Sequence, residues 1–302
     1  LHDPAAEAAD KRFAPFQSGG PILGADANGR DLLARAIYGA RVSLLIAFFA
    51  VMIGFVIGGF LGLLAGYFRN WAGNALVSVF DILLAIPQLV LALSLVSVLK
   101  GDPEPPAVGE AAPFKLPVPL ILIIALGIVS IPLLARITRA STLSWSQREF
   151  VMAARAQGAT HGRILFREVL PNVLPAMVSI ALLGMAIAIV AEGGLAILGA
   201  SVEPPQATWG TMIATGQSEL QTAPFIVWVP VFAVFMTAAS LVAETNLVTA
   251  MPRSVAARMA TRLPLVLREL PVRIPKFTFS LAWNEQLSRD AAHRWFRGAV
   301  EQ

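Results

Sequence analysis

Five long apolar blocks constrain this chain more than any other feature: approximately Ser43–Tyr67, Ala75–Leu99, Leu116–Ala135, Ala176–Gly199 and Phe225–Ala243. A hydrocarbon core of ~30 Å takes about 20 helical residues to cross, and each block is of that order. In lipid every backbone polar group must be satisfied within the protein, so spans of this kind are helices. A transmembrane β-barrel would instead show alternating segments of about ten residues, and the sequence has none. Composition agrees: 56% of the 302 residues are hydrophobic and 14% charged, against about 25% charged in an ordinary soluble domain. The predicted class is an all-α integral membrane protein.

Several chemistries are excluded at once. The absence of cysteine removes disulfides, thiolate metal sites and cysteine nucleophiles. The histidines, His2, His161 and His293, are too dispersed for a metal cluster. No Gly-Lys dipeptide occurs, so the chain has no P-loop and no ATPase site of its own. A membrane-embedded enzyme would need paired aspartates, a Ser–His pair or metal ligands at membrane depth, and the spans contain only the single acids Asp81 and Glu192. No catalytic residue, cofactor, metal or nucleic-acid partner is expected.

Arginine placement sets the expected orientation. The segment between the third and fourth blocks carries Arg136, Arg139, Arg148, Arg155, Arg163 and Arg167 against Glu149 and Glu168, which makes it cytoplasmic. Counting outward, the Phe68–Asn74 turn is inside, and the Lys100–Lys115 and Ala200–Pro224 loops are outside. The region from Glu244, with nine Lys/Arg and five Asp/Glu, is inside. Leu1 is then outside and Gln302 inside. The opening LHDPAAEAADKRF is no signal peptide, and a further helix is expected before Leu1.

Gly54, Gly58, Gly62 and Gly66 recur at every fourth position of the first block, a spacing that suits close helix packing. Asp81 and Glu192 are costly within a span and normally face protein or water. For Asp81 the readings are an interhelical contact, snorkelling or the translocation path. Glu192 either makes a structural hydrogen bond or lines that path. Pro87, in the same block as Asp81, frees a carbonyl and is a candidate bend. Trp209 suits an interfacial position.

The segment 136–175 has built-in helix punctuation. Ser146-Gln147-Arg148-Glu149 reads as a capping box, FVMAARAQ as a short helix, and Gly158 as its left-handed stop. Thr160 then starts a second short helix, HGRILFREVL, which Pro171 is expected to close. Two short helices at an angle suit a groove on a cytoplasmic partner; the alternative is a purely structural amphipathic turn.

EFVMAARAQGATHGRILFREVLPNVLP resembles the cytoplasmic signature loop of ABC importer permeases: Glu-Ala-Ala, three residues, Gly, nine residues, Ile, one residue, Leu-Pro. Ala153, Ala154, Gly158, Leu170 and Pro171 occupy that pattern; Met152 replaces the Glu, and Glu168 stands where Ile is usual. Phe150, Arg155 and Ala159 extend the likeness toward the dipeptide/oligopeptide/nickel branch. LGADANGRDLLARAIYGARVSLL, DILLAIP and AEGGLAILGASVEPPQATWGTMIATG are similar to further segments of that branch, in the same order. The resemblance covers about residues 20–243 and implies a type I ABC importer fold with a sixth, N-terminal span preceding Leu1.

The implied function is a permease subunit of an ATP-driven importer for di- or oligopeptides in a bacterial cytoplasmic membrane. Implied partners are a second homologous permease, two ATP-binding cassette subunits, an extracytoplasmic substrate-binding protein and membrane lipid. A nickel, chelate or opine importer is the near alternative; a membrane anchor or receptor subunit would not explain the capped loop. The domain reading is an extracytoplasmic lead-in (1–42), a transmembrane domain (43–243) with its ATPase-coupling loop (136–175), and a cytoplasmic tail (244–302). Orientation is directly testable in a chain with no native thiol. A Thr160→Cys variant in intact cells is expected to resist an impermeant maleimide and to react after permeabilisation.

Overall fold

All five apolar blocks fold as helix, but three extend past their expected ends and one is broken. The computed structural model describes residues 15–16, 20–68, 70–101, 116–203 and 206–243. They form two compact units, one within 41–203 and one from the flanking segments within 15–40 and 206–243.

The first block starts earlier than expected: α1 (Leu32–Ile53) continues through a π turn (Gly54–Gly58) into α2 (Gly59–Tyr67). The second is split into α3 (Trp71–Ala85) and α4 (Gln88–Lys100), whose apolar portions are bent by 93°. The break lies at Ile86–Pro87. Proline disfavours the α region for its predecessor, and Ile86 is extended, with φ −80° and ψ 130°. The bend foreseen at Pro87 is therefore a full corner.

The third block is α5 (Val118–Trp145), which carries Arg136 and Arg139 on its last turns. After α6 (Glu149–Ala156) and α7 (His161–Arg163), a π turn (Ile164–Val169) leads into α8 (Leu170–Ile197). The short second helix expected after Thr160 is thus the start of a continuous 37-residue helix, His161–Ile197. Pro171 does not close it. Proline lacks an N–H and crowds the carbonyl four residues back, and Pro171 sits in the first turn of α8, directly after the widened π turn. The first, third and fourth blocks are long and apolar enough to cross a membrane; the bent pair would be one further span. The fifth block is α10 (Phe225–Ala243), whose apolar stretch Phe225–Leu241 is shorter.

Within 41–203, α5 is the central helix, packing against α2, the first π turn, α3, α4 and α8. The four glycines face it. A Cβ added at Gly58 would lie 2.5 Å from the Ile131 carbonyl oxygen; at Gly66 it would lie 2.8 Å from that of Arg139. Gly54 meets Ser130 and Gly62 the Ala135 carbonyl in the same way. A strict four-residue spacing drifts about 40° per step on an ideal helix. The π turn spanning Gly54–Gly58 widens the first step and offsets part of that drift. Two apolar clusters flank this contact. One joins Ile46, Ala50, Val96, Leu122, Leu126 and Leu195. The other joins Leu63, Tyr67, Val151, Ile164, Val169 and Met177.

In the other unit, Asp31 caps α1, its Oδ1 accepting from the amides of Leu33 (2.9 Å) and Ala34 (3.3 Å). Asp26 Oδ1 accepts from the Asn28 and Arg30 amides, while its Oδ2 pairs with Arg30 Nε (2.8 Å) and Arg35 Nε (3.5 Å). These charges are buried, and pairing offsets their desolvation. α9 (Trp209–Gly216) starts at a Thr208–Thr211 capping box and packs against α10. Trp209 is packed within this unit: it is 4% exposed, and its Nε1 donates to the Ala36 carbonyl at 2.9 Å. The 244–302 tail lies outside the described residues.

The glycine face yields a paired test. Gly58→Ala places a methyl against the Ile131 carbonyl, whereas Gly59→Ala meets only the flexible end of Met177. Gly58→Ala is expected to cost about 1–3 kcal/mol and Gly59→Ala distinctly less, read as thermal unfolding of the detergent-solubilised protein.

Candidate coupling site

The segment from Ser146 to Thr160 joins the long helices α5 and α8 through α6. The expected capping box is not formed. Ser146 instead ends α5, its amide donating to Thr142 O (2.8 Å) and its hydroxyl to Leu143 O (3.2 Å). Its backbone is helical (φ −66°, ψ −12°), while an N-cap needs extended geometry. Arg148 takes that place, extended and without a side-chain cap. Glu149 stays in the first turn of α6, where the helix dipole favours an acid.

α6 ends in a Schellman motif. The Ala159 amide donates to Ala154 O and the Gly158 amide to Arg155 O, both at 3.0 Å, with Gly158 at φ +79°. That left-handed conformation excludes most side chains on steric grounds and admits glycine freely. A Cβ at Gly158 would meet nothing within 4 Å, so the bend turns its open side outward. Thr160 starts α7 as expected, its Oγ1 accepting from the Arg163 amide at 3.4 Å.

The predicted loop residues divide into two faces. Ala154, Ala159 and Leu170 pack on the cluster around Val151 and Ile164. Phe150, Ala153, Arg155, Gly158 and Pro171 are exposed. The Phe150 ring lies 6.3 Å from Trp145, and the Arg148 guanidinium sits 5.4 Å over the Trp145 ring. One face therefore anchors the element and the other presents small side chains and positive charge.

The three path candidates sit on different elements. Asp81, on α3, borders a cleft of about 180 Å³ lined also by Gly62, Phe80, Arg136 and Arg139. Its Oδ1 is 4.0 Å from Arg136 Nη1, and both side chains are more than half exposed. Pro87 forms the corner before α4. Glu192, on α8, is 1% exposed and accepts from Ser201 Oγ at 2.7 Å. Its carboxylate is enclosed by protein in this conformation, not presented to an open path. Ser201 follows α8 beyond a second left-handed stop, Gly199 (φ +76°), where the Ala200 amide donates to Leu195 O at 2.8 Å.

Tyr67 and His161 are functional candidates that pattern reading passed over. Tyr67 Oη and His161 Nδ1 are 3.0 Å apart across 94 residues of sequence. The one signal for Tyr67 was an aromatic polar side chain at the end of an apolar block.

Among the described residues no group of three or more His, Asp or Glu side chains is placed to hold a metal ion. The site's resources are shape, charge and mechanical connection. A sequence profile for the binding-protein-dependent transport system inner membrane component matches residues 58–250, a stretch that contains the whole two-faced loop. The chain belongs to this family. As such it is a multi-pass membrane protein. It is 37% identical over 214 residues to the dipeptide transport system permease protein DppC of Alkalihalophilus pseudofirmus, covering 71% of this chain and 65% of that one. Identity to the glutathione transport system permease protein GsiD of Pectobacterium atrosepticum is 34%, over 71% of this chain and 66% of the relative. A di/tripeptide permease DppC of Pseudomonas aeruginosa is 38% identical over 69% and 64%. The chain thus spans just under two thirds of the length of these relatives. Among solved structures, inward-facing forms of the MetNI methionine ABC transporter superpose with TM-scores of 0.56 and 0.55. At 19% and 21% identity, covering 70% and 69% of this chain and 92% and 90% of theirs, they show a shared type I importer fold.

The Glu192–Ser201 bond yields a stability prediction. Ser201→Ala removes a partner from the buried Glu192 side chain, and leaving a buried polar group without one costs about 1–3 kcal/mol. A loss of that order is expected in thermal unfolding of the solubilised protein, with Ser201→Thr retaining most of it.

Proposed function

We propose that this family member is a permease subunit of an ATP-driven importer for di- or oligopeptides, working beside a second homologous permease. Two separate ATP-binding cassette subunits would supply hydrolysis, and an extracytoplasmic binding protein would deliver substrate. The observation that carries this reading is the loop of α6 and α7: a Schellman-capped bend with one face anchored on the core and the other open, continuous with α8. The family assignment and the names of the peptide and glutathione permease relatives support the substrate class.

In this reading the arginine-rich loop is cytoplasmic, with Leu1 outside and Gln302 inside. The outward face of Phe150, Ala153, Arg155 and Gly158 seats on an ATPase subunit. Closure of the ATPase pair on ATP moves the loop, and the anchored face carries that movement into α5 and α8. Rigid-body tilting then exchanges inward-open for outward-open access. Asp81 and Arg136, exposed around their cleft, border the water-filled route in one of these states, and the corner at Pro87 shapes its wall. Glu192, held by Ser201, fixes α8 beside it. Binding energy supplied at the loop changes which state is populated; the permease itself makes and breaks no covalent bond.

The decisive residue is Gly158. Valine is β-branched and poorly accommodated at positive φ, yet its side chain would enter open space, so insertion and pairing survive while the bend changes. Gly158→Val in the complex reconstituted with ATPases and binding protein is expected to abolish the stimulation of ATP hydrolysis by loaded binding protein and to collapse peptide uptake. Normal stimulation together with normal uptake would refute a coupling role for this loop.

A further inference from the structure

The bend at Gly158 closes around a single side chain from a distant part of the sequence. Arg155, three residues before the glycine, lays its guanidinium 5.5 Å over the Tyr67 ring. His161, three residues after it, meets the Tyr67 hydroxyl at 3.0 Å through Nδ1, its ring edge-on at 5.8 Å. Phe68 closes the third side, 5.9 Å from the His161 ring. Tyr67 is 7% exposed and ends α2, the helix whose glycine face lies against α5.

Most of the loop's anchorage is apolar: Val151, Ile164 and Leu165 are buried against Leu63 and Met177. Apolar burial is non-directional, so it holds α6 down without fixing its angle or preventing it from sliding. The Tyr67 contacts are directional. A hydrogen bond and a cation held over a ring face each favour one orientation, and they grip from both arms of the bend.

Resting on the coupling role proposed above, we infer that Tyr67 is the positioning residue of that coupling. Its hydroxyl, bonded to His161, locks the loop's angle to the end of α2, so that loop movement reaches the α2–α5 pair without slip. Loss of the bond leaves the loop seated but lets it rotate, and ATP is then spent with less substrate moved.

The test uses the assembled complex of both permeases, ATPase subunits and binding protein in proteoliposomes, reading peptide imported per ATP hydrolysed. Tyr67→Phe keeps the ring and removes the hydroxyl. It is expected to lower that ratio about fivefold, the scale that loss of one hydrogen bond of ordinary net strength allows. His161→Leu should do the same, and the Tyr67→Phe/His161→Leu double variant should be no worse than either single change. His161→Asn, which places an amide near the former Nδ1 position, should restore most of the ratio, whereas a merely space-filling role would favour leucine equally. A Tyr67→Phe complex with the wild-type ratio, or additive losses in the double variant, overturns the inference while leaving the coupling role intact. Absence of binding-protein-stimulated uptake in the wild-type complex would instead overturn the role on which it rests. Should Tyr67→Phe fail to assemble, the contrast between His161→Asn and His161→Leu decides alone: equal ratios overturn the inference and unequal ones uphold it.

Discussion

The backbone contact between α2 and α5 is the constraint on which the rest of the 41–203 unit depends. Lipid tails are as apolar as leucine side chains, so two helices in a bilayer gain little from the hydrophobic effect and must be held by close packing. Gly58, Gly62 and Gly66 provide that closeness by bringing one helix onto the carbonyls of Ile131, Ala135 and Arg139 on the other. The apolar clusters then form at either side of the contact, one involving Leu122 and Leu195, the other seating α6 and the π turn after α7 beside Tyr67. A bulkier residue at any rung would separate α2 from α5 and displace the ground on which the loop rests.

The sequence made the helices legible because apolar length in a membrane leaves no competing structure. It made the loop's punctuation legible wherever a single residue decides the backbone. Gly158 and Thr160 behave as their residue types require, and the break at Pro87 follows from what proline does to its predecessor. Failures came where an adjoining element claimed the same residue. Ser146 fits a helix start by residue type and spacing, but α5 runs ten residues past Ala135 and uses Ser146 as its end. Pro171 has the character of a stop, but it falls in the first turn of α8 just after a π turn, whose wider backbone eases the clash that makes proline a breaker. Trp209 is a different case: its type suits a membrane interface, and the structure adds that its neighbours bury it and give its indole N–H a carbonyl.

Long-range pairings were beyond any local pattern. Nothing near Tyr67 announces His161, and nothing near Glu192 distinguishes a carboxylate lining a path from one satisfied by Ser201 nine residues on. The candidate loop could be located from its motif, but its division into an anchored and an outward face required the packed structure. That division follows from spacing once the helix axis is known. Val151 and Ala154 are three residues apart and share a face, while Ala153 and Arg155 flank it.

The continuity from His161 to Ile197 has a mechanical meaning. At 1.5 Å per residue, 37 residues make a rod of roughly 55 Å, nearly twice the thickness of a hydrocarbon core. About half of such a rod must stand clear of the acyl chains or lean steeply within them. A lean of about 10° about its midpoint would swing each end by roughly 5 Å. In the mechanism proposed above, the loop at one end and the Gly199 stop at the other are opposite handles of one lever, and a push of a few ångströms on the first becomes a comparable displacement of the second, less whatever flexing the π turn and the prolines near its start absorb.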